Sequence, residues 1–230
     1  MTRTTPTAPR TAARVWWAVL TVVVAASVAT QFVLLLTDPE GASLGIAERI
    51  VRFFSYFTVQ SDLLVLASVL PLVRDPDHDG PVWRVVRLAS LLGITITGIV
   101  YAVVLAPLHD PEGLDRWTNA GEHYVSPVLT VVGWLLFGPR PRVTTGVVLR
   151  ALLWPVAWIA WILAQGTVTG WYPYDFMDVG VQGYAVALRN LAFVVLLALA
   201  FLLVFRLVDH RLAATGAAGR IDGREAPALR

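Results

Sequence analysis

A hydroxyl and an imidazole can break an ester when the imidazole takes the hydroxyl proton as the oxygen attacks, provided the two lie within hydrogen-bond reach. Two polar islands in an otherwise apolar chain supply such groups. Phe53 to Leu64 reads FFSYFTVQSDLL, and Trp117 to Pro127 reads WTNAGEHYVSP. At about 100° and 1.5 Å per residue, a helix over the first island puts Ser55, Thr58, Ser61 and Asp62 on one stripe. In the second, Asn119, His123 and Pro127 recur every four residues, and His123 is the one histidine inside an apolar span. Polar groups cannot face hydrocarbon without partners, so both stripes must turn toward a helix bundle or a wet cavity. Thr58 is the candidate nucleophile and His123 the candidate base, drawn from separate helices.

Other groups have supporting roles to fill. Asp62, one turn beyond Thr58, either orients the imidazole or holds water. Donors for a developing oxyanion are sought among Asn119, Ser61 and a loop tyrosine. The competing reading is structural, because Ser and Thr in membrane helices commonly bond the carbonyl four residues back, and polar side chains also join helices. Pro127 clashes with the carbonyl of His123 and loosens the helix there. Two other catalytic templates are missing from the sequence: there is no HExxH and no Walker loop.

The elements that position these groups follow from composition. The 230 residues are 57% hydrophobic and 15% charged, with a mean hydropathy of +0.66, the profile of an integral membrane protein. Apolar runs of about 20 residues cross a bilayer core of roughly 30 Å as helices. Six are expected: Val15–Leu36, Ile46–Leu72, Trp83–Leu105, Trp117–Phe137, Val147–Ala164 and Tyr184–Val208. The fold class predicted is therefore all-α, a polytopic membrane protein with six transmembrane helices in one bundle over residues 15–208 and disordered tails at 1–14 and 209–230. The first run continues past Ala29 through Phe32–Leu36, too long for a cleaved leader, and reads as a retained span.

All 18 basic residues are arginines, and 14 of them fall in the N-terminal tail, the second and fourth loops and the C-terminal region. Arginine marks the cytoplasmic side, so both termini are expected there, in a multi-pass protein of the cell membrane. The net charge of +2 is then a topology signal, with no nucleic acid implied. Acids collect opposite, at Asp38, Glu40, Asp110, Glu112, Asp115, Asp175 and Asp178. Cysteine is absent, which removes disulfides, thiolate nucleophiles and thiolate metal sites. The loop Arg74-Asp-Pro-Asp-His-Asp lacks the ligand order of a calcium loop and a second His for zinc, so it reads as a solvated turn and no metal is expected.

Candidate substrate-binding groups lie on the outer side. Arg52 is a clamp for a carboxylate or, paired with Glu48 four residues before it, an interfacial anchor. Ser55 belongs to the Thr58 stripe. In the loop Gln165–Gly183, Trp171, Tyr172 and Tyr174 either cap an entrance or rest among headgroups. Trp154, Trp158 and Trp161 form one aromatic face, read first as packing or an interface belt. His109 reads as a solvated loop residue.

Phe57-Thr58 followed by Gln60-Ser61-Asp62, then Asn119…His123…Pro127, then Gly170-Trp-Tyr-Pro-Tyr, resembles the prokaryotic six-span members of the androgen-induced-gene family, over roughly residues 47–205. Eukaryotic members are intramembrane threonine hydrolases of fatty acid esters of hydroxy fatty acids. The resemblance implies Thr58 as nucleophile, His123 as base, a lipid-like ester as substrate, membrane lipids as partners and no cofactor, with the oligomeric state left open. The alternative function is a lipid or small-amphiphile binder or carrier that uses the same cavity without turnover.

Overall fold

A computed structural model describes residues 8–37 and 43–222 of the chain. Those residues are almost wholly helical and include no strand. α1 covers Ala8–Thr37, α2 Ile46–Ser55 and α3 Phe57–Arg74. α4 covers Pro81–Val100 and runs on through a π turn, Tyr101–Leu105, and a 3-10 turn, Ala106–Leu108. α5 (Gly113–Ala120), a second π turn (Gly121–Val125) and α6 (Ser126–Phe137) form one continuous helical run. α7 (Thr145–Ala151) leads into α8 (Leu153–Thr169), then a one-turn α9 (Val179–Gln182) and α10 (Tyr184–Asp222).

Five helical segments among the described residues are long and apolar enough to cross a membrane: Arg10–Thr37, Phe57–Arg74, Pro81–Leu108, Thr145–Thr169 and Tyr184–Ala213. The run Gly113–Phe137, which contains the expected span Trp117–Phe137, is not among them. Asn119, Glu122, His123, Ser126 and Thr130 interrupt its apolar character, and all but His123 are buried.

The second expected span is corrected as well. Instead of one helix over residues 46–72, the chain extends at Tyr56, where φ is −65° and ψ 131°, and restarts as α3. α1 and α10 also reach into the stretches expected as tails, beginning at Ala8 and ending at Asp222. The outer turn at Thr37–Ser43, with Asp38 and Glu40, falls largely outside the described residues.

α3 is the hub of the bundle. One flank packs Val59, Val65, Val69 and Leu72 against Trp17, Leu20 and Val24 of α1. α4 faces the other flank and shares a second core with α6, α7 and α10 through Leu88, Leu92, Trp134, Ala151, Leu202 and Phe205. In lipid the hydrophobic effect does not draw helices together, so close packing and hydrogen bonds must. Gly93 illustrates this: a Cβ there would lie 2.7 Å from Ser61 Oγ and 2.8 Å from the Trp154 ring. Ser68 and Ser90 join α3 to α4 at 3.0 Å, and Trp83 Nε1 donates to the Ser68 carbonyl at 2.9 Å.

The arginine-rich segments gather at one end. Arg10 pairs with Asp77, Arg14 donates to the Arg74 carbonyl at 2.9 Å, and Asp79 bridges Arg84 and Arg142 at 2.5 and 3.1 Å. Asp209 of α10 accepts the backbone N–H groups of Arg142 and Val143 at 2.7 and 2.9 Å.

Candidate active site

Local sequence makes the second residue of α3 unusual. Hydroxyls on these helices mostly bond the carbonyl four residues back, as Thr21, Ser55, Ser61 and Thr95 do. Thr58 cannot, because the chain is extended at Tyr56 and the Phe54 carbonyl already accepts from Gln60 Nε2 at 2.8 Å. Its hydroxyl instead lies 3.3 Å from Nε2 of His123.

The histidine's tautomer follows from its other nitrogen. Nδ1 sits 3.1 Å from the Asn119 carbonyl, which can only accept, so Nδ1 carries the proton. Nε2 is therefore a bare lone pair facing the Thr58 hydroxyl, the arrangement a general base requires. The ring is further fixed by Tyr101, stacked 3.9 Å away with the planes 28° apart. Tyr101 and His123 each lie in a π turn, and each turn ends two residues before a proline, Pro107 or Pro127. Widened turns absorb the loss of a helical hydrogen bond near proline and often occur at functional sites. Gly98 lets the two turns approach, since a Cβ on it would lie 2.9 Å from Pro127.

The break at Tyr56 leaves polar backbone groups that residues distant in sequence satisfy. Trp158 Nε1 donates to the Ser55 carbonyl at 2.9 Å, while Trp154 stacks on Phe57 at 4.7 Å and donates to Gln60 Oε1 at 2.9 Å. The tryptophan face of α8 is thus a packing face that props open the helix start. On the other side, the hydroxyl of Tyr174 accepts the Thr58 backbone N–H at 3.4 Å. Burial pushes that hydroxyl up to about 12, so it stays protonated and able to donate. Thr58 and Tyr174 both line a narrow cleft of about 70 Å³ between α3, α4, α8 and α10, walled by Ile96, Trp158, Phe176 and Val195.

The remaining candidates fall elsewhere. Asp62 does not reach the imidazole; Oδ1 accepts from Ser126 Oγ at 2.6 Å and Oδ2 is buried without a partner. The Asn119 amide donates to Tyr101 at 2.7 Å, so Asn119 acts on His123 through its backbone and is not aimed at an oxyanion. Ser61 is engaged with the Phe57 carbonyl at 2.7 Å. Ser55 belongs to α2 and not to the Thr58 stripe; its hydroxyl donates to Val51 at 2.8 Å and to Gln165 at 3.1 Å.

Arg52 pairs with Glu48 at 2.5 Å and lies 4.9 Å over Trp171, and these two aromatic and basic groups line a separate groove of about 550 Å³ between α2 and α8. Tyr172 packs into the apolar cluster around Ile162 and Met177. His109 is not simply solvated, since Nδ1 lies 3.2 Å from the Tyr101 hydroxyl. Tyr101 is the site residue that sequence reasoning passed over; Trp158 entered it only as part of a packing face and Gln60 only as part of a motif. Only the position of Tyr101 near the end of a span hinted at a role. No group of three or more metal-ligating side chains occurs among the described residues. Comparison with protein-family models, curated proteins and solved structures finds no match to the chain.

Proposed function

We propose that the protein is an intramembrane hydrolase of lipid-like carboxylic esters, with Thr58 as nucleophile and His123 as general base. The observation that carries this reading is the 3.3 Å contact between Thr58 Oγ1 and an imidazole nitrogen held in its unprotonated form. Thr58 Oγ1 bonds to the ester carbonyl carbon as its proton passes to His123 Nε2. The oxyanion forms beside the Tyr174 hydroxyl and the first amide groups of α3, where partial positive charge accumulates at a helix start. Collapse expels the alcohol, which takes the proton from Nε2. A water then attacks the acyl carbon as its proton passes to His123 Nε2, and collapse releases the acid while Thr58 Oγ1 takes that proton back.

In this reading the run Gly113–Phe137 is a sixth crossing, tolerated in lipid because its polar residues face α1, α3 and α4. The arginine-rich end is cytoplasmic and holds both termini, and the cell membrane is the location. Membership of the androgen-induced-gene family belongs to the same proposal, supported by the quoted motifs.

Purified protein assayed on a panel of long-chain esters tests it. Turnover is expected to fall by about 10²-fold or more in Thr58→Ala and His123→Ala, and a fluorophosphonate is expected to label Thr58. Equal turnover in wild type and Thr58→Ala overturns the hydrolase reading. Retention of amphiphiles without cleavage, unaffected by His123→Ala, favours the carrier.

A further inference from the structure

At the arginine-rich end of the bundle, far along α4 from Thr58, a guanidinium is buried without a counter-ion. Arg87 is 6% exposed. Its Nη1 donates to Ser68 Oγ at 3.3 Å, its face lies 4.8 Å from the Trp17 ring, and Nε and Nη2 have no partner. A charge removed from water and left unpaired is strongly destabilising. One weak hydrogen bond and one aromatic face do not replace the donor set that a planar guanidinium presents.

Arg87 opens onto a small cleft shared with Arg84 and Arg142 and walled by Trp83 and Trp134. Arg140 lies within electrostatic range of Arg87 and over the Trp134 ring at 5.0 Å. The nearby carboxylates are Asp79, committed to Arg84 and Arg142, and Asp209, whose Oδ2 accepts from the backbone of Arg142 and Val143 while Oδ1 is buried without a hydrogen-bond partner. Arg84, Arg87 and Arg142 line the cleft and neither nearby carboxylate bonds Arg87, while Arg140 is held by the Gly138, Trp134 and Leu135 carbonyls.

We propose that this cleft binds a phosphate-type anion. Its volume of about 20 Å³ admits one oxygen-sized group, so a phosphoryl oxygen reaches Arg87 while the rest of the anion stays at the mouth before Arg84 and Arg142. The two unpartnered donors of Arg87, with the charges of Arg84 and Arg142 at the mouth, suit an anion with several oxygens better than a single carboxylate. The phosphate belongs either to a lipid headgroup or to a soluble phosphate, and both present the same oxygens to Arg87. The proposal is independent of ester hydrolysis.

The full chain, purified and delipidated in neutral detergent, is titrated with inorganic phosphate and, separately, with mixed micelles of phosphatidic acid or of phosphatidylcholine. Thermal unfolding and retained lipid, read by mass spectrometry, are the measurements. The site predicts a rise in Tm with phosphate or with phosphatidic acid beyond any rise with phosphatidylcholine. That rise is expected to vanish in Arg87→Gln and to need about tenfold more ligand in Arg142→Gln.

A response to inorganic phosphate supports the site with a soluble source; a response to phosphatidic acid alone supports it with a headgroup source. No response to either, or an undiminished response in Arg87→Gln, overturns it. If Arg87→Gln does not fold, Arg84→Gln and Arg142→Gln decide, and unchanged affinity in both overturns the proposal.

Discussion

Tyr101 lies face to face with His123 at 3.9 Å, and Asn119 ties the pair together, its amide on the Tyr101 hydroxyl at 2.7 Å and its carbonyl on Nδ1 at 3.1 Å. An imidazole held from one face and one edge keeps Nε2 directed at Thr58. In the proposed mechanism Tyr101 is therefore a positioning residue, and losing its ring should matter more than losing its hydroxyl. Tyr101→Ala is expected to lower turnover by up to about 10²-fold, the scale of a small misplacement of a catalytic group. Tyr101→Phe keeps the stack and is expected to lose much less. Ester hydrolysis by both variants checks this, and equal losses would remove the stack from the mechanism.

Tyr174 reaches Thr58 from the opposite side of the cleft. If its hydroxyl receives the developing charge, Tyr174→Phe lowers kcat by about 10²-fold, as removal of one oxyanion donor does elsewhere. Saturation kinetics on a long-chain ester read the effect; a change confined to KM would leave Tyr174 as a wall of the cleft.

Trp158 supplies the donor for the Ser55 carbonyl at the end of α2. Trp158→Phe retains the ring packing against Phe57 and leaves that carbonyl unpaired, at a cost of about 1–3 kcal/mol. A lower Tm in detergent is expected, with loss of activity following from a displaced α3 start.

Gly98 has no room for a side chain, because an added Cβ would lie 2.9 Å from the rigid Pro127 ring. Gly98→Ala is expected to push α4 and α6 apart, destabilising the bundle by about 1–3 kcal/mol. The separation of Tyr101 from His123 should show as reduced ester turnover in protein that still folds.

Asp79 sets an acid limit at the arginine-rich end. Its hydrogen bond with Arg84 and the nearby Arg142 hold it at about 2, below its ordinary 3.8. A depressed carboxylate contributes stability that is present above pH 3.8 and disappears as the pH falls through 2. Asp79→Asn is expected to lower Tm slightly at pH 5 and to converge with wild type by pH 2, the difference being small because the pair is largely solvated. Parallel Tm curves across that window would contradict this.

The sequence alone determined the class of molecule and singled out its two candidate reactive groups. Long apolar helical runs mark a helical membrane protein, and a hydroxyl or imidazole inside such a run must be satisfied within the bundle, so Thr58 and His123 stand out by chemistry. Only the tertiary structure decided how they are presented. The segment from Phe53 to Gln60 contains neither Gly nor Pro, so the break at Tyr56 has no local signal; it exists because Trp158, Gln60 and Tyr174 satisfy the backbone groups it exposes. The same holds for Asp62, which spacing offered either to the imidazole or to a water and packing gave to Ser126. It holds also for the histidine's proton, which rests on Nδ1 because one carbonyl stands 3.1 Å from it. Spacing along a helix fixes which residues share a face, but the partner that face meets depends on how neighbouring helices are rotated and placed, and that is a property of the packed bundle.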